Sequence, residues 1–590
     1  MGNKYVLNTM YLKARWEKDP NATPGQFGMK KIADDVLLMV IKDSDEKYSK
    51  IEIIEKPTIE WYSVKDPNTV PPYNEMMLDR DLVDVHVCEY SKRDIEICKY
   101  LGIEKEYDIL KRRQYNDENG RADFNRFMNE KIYKNPLIYG ADMDIEDFYK
   151  TKFIEEHGSD LPQNLNISYM DIETDIYTNA TEDIDQNNPK GEIIVITYFN
   201  NISMEYYALL LHREEVIPVQ KEIITDPNKY LKDWILEDYT EDPDIDFRLE
   251  WYDDERMLIQ RWADLIHRDK PEFCLAWNSN YDYKYIMNRA KLLGMNVIEL
   301  FCHPDVPQEY HILKYQEDAD RKQQTFANNK KKAIKHFSRM WDWVIAPGYT
   351  CFLDQMSLYS NLRKRSIEKS YKLDFITEKE LKIHKVDLHS FGLTIRNAPF
   401  KNYKIFLKYS IRDTFLLYKL ESKLKDIRSF ITLCDNTKLE KGMNVSFVIK
   451  NAFFSMFRRN NQVIGNTIDY GVSESINGAI VGDPKLCDSC PVEIDGKKTQ
   501  IYKSVIDFDA KSLYPSLMCQ HQIGKENHHY RVVSITDNLN RLVMSGERFN
   551  TLLQTIDTSI FDLGKELYGL PNIEEVIPNI ERELKLACNG

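Results

Sequence analysis

The sequence predicts a multidomain protein, part α/β and part α+β, built around a mixed sheet flanked by helices. Three observations carry this. The chain has 590 residues, and at roughly 150 residues per domain it should form about four domains or subdomains. Its composition is that of a globular protein: 42% hydrophobic, 30% charged and 12% aromatic, with 36 Tyr and 25 Phe. From about residue 165 onward, β-branched strand runs give way to alternating helix and strand patterns.

Taken in order, the first 155 residues mix short strands with charged turns. VLLMVIKD and KIEIIEKP read as strands, and residues 93–103 have helical spacing. NISYMDIETDIY is an apolar strand that turns acidic. GEIIVITYFN (191–200) and MEYYALLL (204–211) follow as second and third strands, and a polar loop precedes the second. Then come a helix (ERMLIQRWADLIHR), a strand (EFCLAWN) and a helix (YDYKYIMNRAKLLG). Residues 400–428 read as one long amphipathic helix, and a further helix ends near 461. Segments marked by Gly and Pro at 465–500 lead into the strand SVIDFDA, and helical patterns follow to the end.

Composition also excludes several classes. No apolar run nears the ~18 residues of a membrane helix, and MGNKYVLNTMYLKARW has no signal-peptide core. No membrane partner and a cytoplasmic location (the host cytoplasm if the chain is viral) are the expectation. Ten cysteines are sparse and mostly solitary, which fits reduced thiols. Cys487 and Cys490 have metal-clip spacing, but no second close pair completes a zinc site, so two thiols in a turn is the reading. A net charge of −15 argues against a simple nucleic-acid coat. Basic stretches at Lys111-Arg112-Arg113, 328–339 and 361–372 would line a channel or equally serve as solvated helix faces, and the last two interleave aromatics suited to stacking on bases.

Three acidic pieces carry chemistry. Asp171 and Glu173, two apart on a strand, point to one face. Carboxylates so placed repel unless a hard cation such as Mg²⁺ or Mn²⁺ lies between them. Asn278, Tyr281 and Asp282 open a helix after a strand. Tyr409 and Asp413, at i and i+4, share a helix face. Each piece alone is ordinary: an acidic strand end, a helix cap, a helix pair.

Together and in this order they resemble the three exonuclease motifs of the DEDD superfamily, in the tyrosine variety found in proofreading DNA polymerases. SYKLD at 370–374 is similar to a segment the family carries between its second and third motifs. The resemblance implies a ribonuclease-H-like domain, two Mg²⁺ or Mn²⁺ ions held by Asp171, Glu173, Asp282 and Asp413, and hydrolysis of a phosphodiester. Asn278 and Tyr281 would contact the DNA strand, and Tyr409 would orient or help to deprotonate the attacking water.

Farther on, FDAKSLYPSL (508–517) resembles motif A of family B DNA polymerases. The match implies Asp509 as a catalytic metal ligand, with Ser512, Leu513 and Tyr514 on the incoming nucleotide. INGAIVGDP (476–484) is similar to the family's template-contacting Gly-Gly stretch, so Gly478 would meet DNA; Ala479 replaces the second Gly. The resemblance spans about 165–530 and is nearest to the polymerases of T-even-type tailed phages. It implies an N-terminal domain at 1–160, a 3′→5′ exonuclease at 161–425, a helical return at 426–470 and a partial palm with the start of the fingers at 471–590.

The family's second palm motif, Tyr-Gly-Asp-Thr-Asp, is absent, as are its fingers helix and thumb. The expectation is therefore the N-terminal part of a replicative DNA polymerase. It would act on primer-template and single-stranded 3′ ends, use dNTPs when complete, and need a second polypeptide, with a sliding clamp as a further partner. A free-standing 3′→5′ exonuclease and a DNA-binding accessory subunit are the alternatives. The unfinished palm should expose an open sheet edge near 500–590.

Overall fold

The structure is a computed structural model that describes residues 4–18, 29–66, 78–116, 120–175, 185–212, 245–322, 335–364 and 367–466, with a strand pair at 492–494 and 497–499. The chain divides into two units, Met1–Ser473 and Glu474–Gly590. Gly478, Cys487, Cys490, Asp509, Ser512, Leu513, Tyr514 and the expected open palm edge lie outside the described residues. In the second unit, the described part is an antiparallel pair, Val492–Ile494 with Lys497–Thr499.

The first unit opens with a three-stranded antiparallel meander, β1 (Lys4–Leu12), β2 (Val36–Asp43) and β3 (Lys50–Glu55). VLLMVIKD forms β2 because its apolar run is buried between two partners. Helix α1 (Ile145–His157) packs beside β1, and its first turn is capped by Asp144, which accepts from the Glu146 amide at 3.0 Å.

The central sheet has six strands: β4 (Ile167–Thr174), β5 (Ile193–Asn200), β6 (Glu205–Leu211), β7 (Asp246–Tyr252), β8 (Phe273–Ala276) and β9 (Cys351–Asp354). Their order is β7-β6-β5-β4-β8-β9. β4, β5 and β6 run antiparallel to their neighbours in turn, while β4–β8, β8–β9 and β6–β7 are parallel. Leaving out the edge strand β7, this is a ribonuclease-H-like sheet, as the sequence predicts. Every residue of β5 is buried, which fits a strand covered on both faces.

Helices α2 (Glu255–Asp269) and α3 (Ser279–Leu292) follow β7 and β8; α4 (Gln355–Leu362) follows β9. The predicted long helix at 400–428 is instead two, α5 (Tyr403–Leu424) and α6 (Asp426–Leu433). Lys425 takes φ 55°, a left-handed conformation that ends α5. Glu421 spans the break, accepting from the Ile427 amide at 3.1 Å. Last comes α7 (Val445–Arg459), whose Phe454 joins a core with Val6, Leu37 and Phe148 back in the N-terminal part.

One hydrophobic core runs from β1 (Tyr5, Leu7) through the central sheet to α5 and α6. A buried ion pair ties the meander to it: the Lys42 ammonium and Ser49 hydroxyl donate to Glu272 at 3.0 and 2.7 Å. Among the described residues no helix is long and apolar enough to cross a membrane.

Candidate active site

β4 alternates at its end. Ile172 and Thr174 are buried, while Asp171 and Glu173 stay partly open on the other face. α5 packs against β4 and brings Asp413 close to Asp171 and Glu173. Carboxylate oxygens of Asp171, Glu173 and Asp413 all lie within 4.8 Å of one another. α3 adds Asp282, which is buried close enough to feel Asp171. The two-residue and four-residue spacings seen in the sequence thus converge in space.

The electrostatics follow from this crowding. Burial, then the charge of Asp413, pushes Asp171 up to about 7. Glu173 is raised well above its ordinary value, by burial and then by Asp171 and Asp413. Asp282 is raised by burial and by Asp171 and Asp354, and Asp413 by burial. Asp413 Oδ1 is buried and has no hydrogen-bond partner. Three close carboxylates and one orphaned, inward oxygen make a hard, all-oxygen donor set, which fits Mg²⁺ or Mn²⁺.

The positive charge at the site is Lys385, which the sequence reading missed. Its ammonium pairs with Asp413 and donates to the Tyr409 hydroxyl at 2.8 Å. Burial alone would lower the Lys385 pKa, but Asp413 and Tyr409 more than offset this and raise it. No local pattern in KIHKVD marks this lysine. Tyr409 itself is raised, by burial and then by Asp413 and Glu173. A groove of about 750 Å³ opens beside Lys385 and Tyr409, lined also by Asp374, His384, Asp387 and His389.

Clasps hold these elements in register. The Thr174 and Tyr281 hydroxyls bond at 2.9 Å, joining β4 to α3. The Thr197 and Thr414 hydroxyls bond at 2.7 Å, joining β5 to α5 one residue from Asp413. Tyr285 donates to the Gly191 carbonyl at 2.8 Å, where a Cβ would stand 2.4 Å from the Asp175 oxygen, so only glycine fits. Tyr281 is therefore largely committed to Thr174 and packing. Asn278 is exposed at the N-cap position of α3, but its side chain makes no cap bond.

Of the basic stretches, Arg363 is used internally. It bonds both oxygens of Asp426 at 2.9 and 2.8 Å and lies 4.1 Å over the Tyr359 ring.

Comparison with known proteins agrees with this geometry. Residues 140–345 match the model of the DNA polymerase family B exonuclease domain. The chain is 24% identical over 292 residues to the DNA polymerase delta catalytic subunit of Plasmodium falciparum, covering 47% of the chain and 24% of that relative. It is 23% identical over 278 residues to the Candida albicans delta catalytic subunit, covering 46% and 24%. It is 22% identical over 302 residues to the DNA-directed DNA polymerase of Escherichia phage RB69, covering 49% and 28%. The matched region thus spans about a quarter of the length of each relative.

Proposed function

We propose that the site removes nucleotides from single-stranded 3′ ends by hydrolysing the terminal phosphodiester, as the 3′→5′ proofreading exonuclease of a replicative DNA polymerase. The convergence of Asp171, Glu173 and Asp413 within 4.8 Å is the observation that carries this reading. Asp171, Glu173 and Asp413 would hold divalent cations, two Mg²⁺ or Mn²⁺ by family resemblance, with Asp282 completing the set. Cations there would neutralise the carboxylates, polarise the scissile phosphate and make water more acidic. The chain's own groups do the rest. Tyr409, fixed by Lys385, presents a protonated hydroxyl that orients the water or a phosphate oxygen. Lys385 holds Asp413 in place and adds positive charge beside the groove that would receive the strand end. Asn278 is free to bond that strand.

In the same reading the chain is the N-terminal part of a DNA-directed DNA polymerase. FDAKSLYPSL supports this: Asp509 would bind a catalytic cation, Ser512, Leu513 and Tyr514 the incoming dNTP, and Gly478 the template. Polymerisation would need a second palm aspartate, the fingers and a thumb from further polypeptide, with a sliding clamp for processivity, in the cytoplasm of the cell or host. The test is degradation of a 5′-labelled single strand in Mg²⁺. The expected result is a ladder shortening from the 3′ end and lost in Asp171→Ala. An intact strand with the wild-type chain, or a ladder that persists in the variant, overturns the exonuclease reading.

A further inference from the structure

Asp354 is the last residue of β9 and pairs in register with Ala276, the last residue of β8. Both strands run straight into helices, so two helix N-termini begin side by side, and each presents orphan amides. Asp354 serves both. Its Oδ1 accepts from the Ser357 amide at 2.8 Å, capping its own helix α4. Its Oδ2 accepts from the Ser279 amide at 3.0 Å and the Ser279 hydroxyl at 3.3 Å, at the first turn of α3. Asp354, Ser279 and Ser357 are all buried.

This arrangement bears on Asn278. An Asn at an N-cap ordinarily folds its side chain back onto the amides of the next residues. Asn278 does not: its side chain makes no cap bond and is exposed. The Tyr281 amide bonds the Asn278 carbonyl at 2.8 Å, and the Ser279 amide bonds Asp354. We propose that Asp354 is a positioning residue. By holding Ser279, it fixes the start of the helix that carries Asp282 and sets the backbone from which the neighbouring Asn278 side chain reaches a substrate strand. The substrate part of this inference rests on the proposed exonuclease function.

The test uses the full chain and a fluorescent single-stranded oligonucleotide with a free 3′ end, its binding read by anisotropy in Ca²⁺ and its cleavage in Mg²⁺. Asp354→Ser keeps a good cap for α4 but is too short to reach Ser279. The first turn of α3 should then loosen and Asn278 lose its placement, and the oligonucleotide Kd and the KM should rise about five- to tenfold, with a smaller fall in kcat. Asn278→Ala should show a similar rise alone and add nothing in the Asp354→Ser background. If Asp354→Ser does not unfold cooperatively, Asp354→Asn gives the same readout in weaker form, since its single carbonyl oxygen can accept from the Ser357 or the Ser279 amide but not from both. Unchanged binding in these variants, or a full added effect of Asn278→Ala in them, overturns the inference while wild-type cleavage leaves the exonuclease reading standing. Wild-type binding without cleavage overturns the exonuclease reading alone, and the cycle still decides the role of Asp354. A wild-type chain that does not bind the strand overturns both.

Discussion

Two clusters in the first unit have the same charges and opposite characters. At the junction of the N-terminal part with the helices after α6, Asp144, Glu146 and Asp147 surround Lys438. At the candidate active site, Asp171, Glu173 and Asp413 surround Lys385. In the junction each acid has its own donors. Lys438 bonds Asp144 at 2.9 Å and Glu146 at 2.6 Å, and its amide bonds Asp147 at 2.7 Å. The Tyr11 amide adds a bond to Glu146 at 3.1 Å. In the active site Lys385 reaches Asp413, yet Asp413 Oδ1 has no partner, and, among the described residues, only this trio has oxygens close enough to share an ion. The count of acids does not make a metal site; the lone pairs left over after the protein's own donors are spent do so.

The largest effect expected from this contrast is on turnover. Asp171→Ala or Glu173→Gln should lower 3′-end hydrolysis by about 10³-fold or more, measured by single-turnover cleavage of a labelled strand. Neither should weaken folding in the absence of cations, since each relieves repulsion. Lys438→Met should do the reverse. It strands two partly buried carboxylates and should cost about 3 kcal/mol in urea unfolding, while the surviving folded fraction cleaves at the normal rate. If Lys438→Met abolished cleavage in the folded chain, the two clusters would not be separable.

Lys385 sharpens the comparison because it stands between structure and chemistry. Lys385→Met should lower kcat roughly 10- to 100-fold and leave KM for the strand less affected. The loss should be larger than for Lys385→Arg, which keeps the charge beside Asp413. A Lys385→Met enzyme with unchanged kcat would reduce this lysine to a counter-ion.

Much of this was legible in the sequence, for local reasons. The period of a strand puts Asp171 and Glu173 on one face, and the period of a helix does so for Tyr409 and Asp413. The succession of β4, β5 and β6 was readable from their apolar runs. What escaped depends on contacts distant in sequence or on unusual backbone. Strand β7 went unread because Asp246, Arg248 and Glu250 interrupt its apolar pattern; in the fold they pair with Glu205, Arg261 and one another. The break at Lys425 has no Gly or Pro to announce it. The bonds of Lys385 to Asp413 and of Asp354 to Ser279 form only when α5, β8 and β9 are assembled, and no short window of sequence contains both ends.

The smallest effect concerns the acids themselves, and its sign follows from their raised pKa values. An isolated Asp titrates near 3.9, whereas Asp171 is pushed up to about 7. Between roughly pH 4 and 7 the folded chain keeps a proton that the unfolded chain has lost, so without cations stability should fall as pH rises through that window. A divalent cation replaces the proton. At ten times its Kd, Mg²⁺ or Mn²⁺ should restore about 1.4 kcal/mol, and the gain should grow with pH. Thermal melts of the wild-type chain at pH 5 and pH 8, with Mn²⁺ and with EDTA, separate the terms. The shift of Tm by Mn²⁺ should be large at pH 8, small at pH 5 and absent in Asp171→Asn. The junction gives the control. Glu146 is also raised, to about 8, by burial ahead of the opposing pull of Lys438, but its oxygens are already bonded. Glu146→Gln should therefore alter the pH dependence without touching the Mn²⁺ shift. If Mn²⁺ stabilised the wild type and Asp171→Asn equally, the ion would be binding elsewhere, and the open lone pairs of Asp171, Glu173 and Asp413 would not define the site.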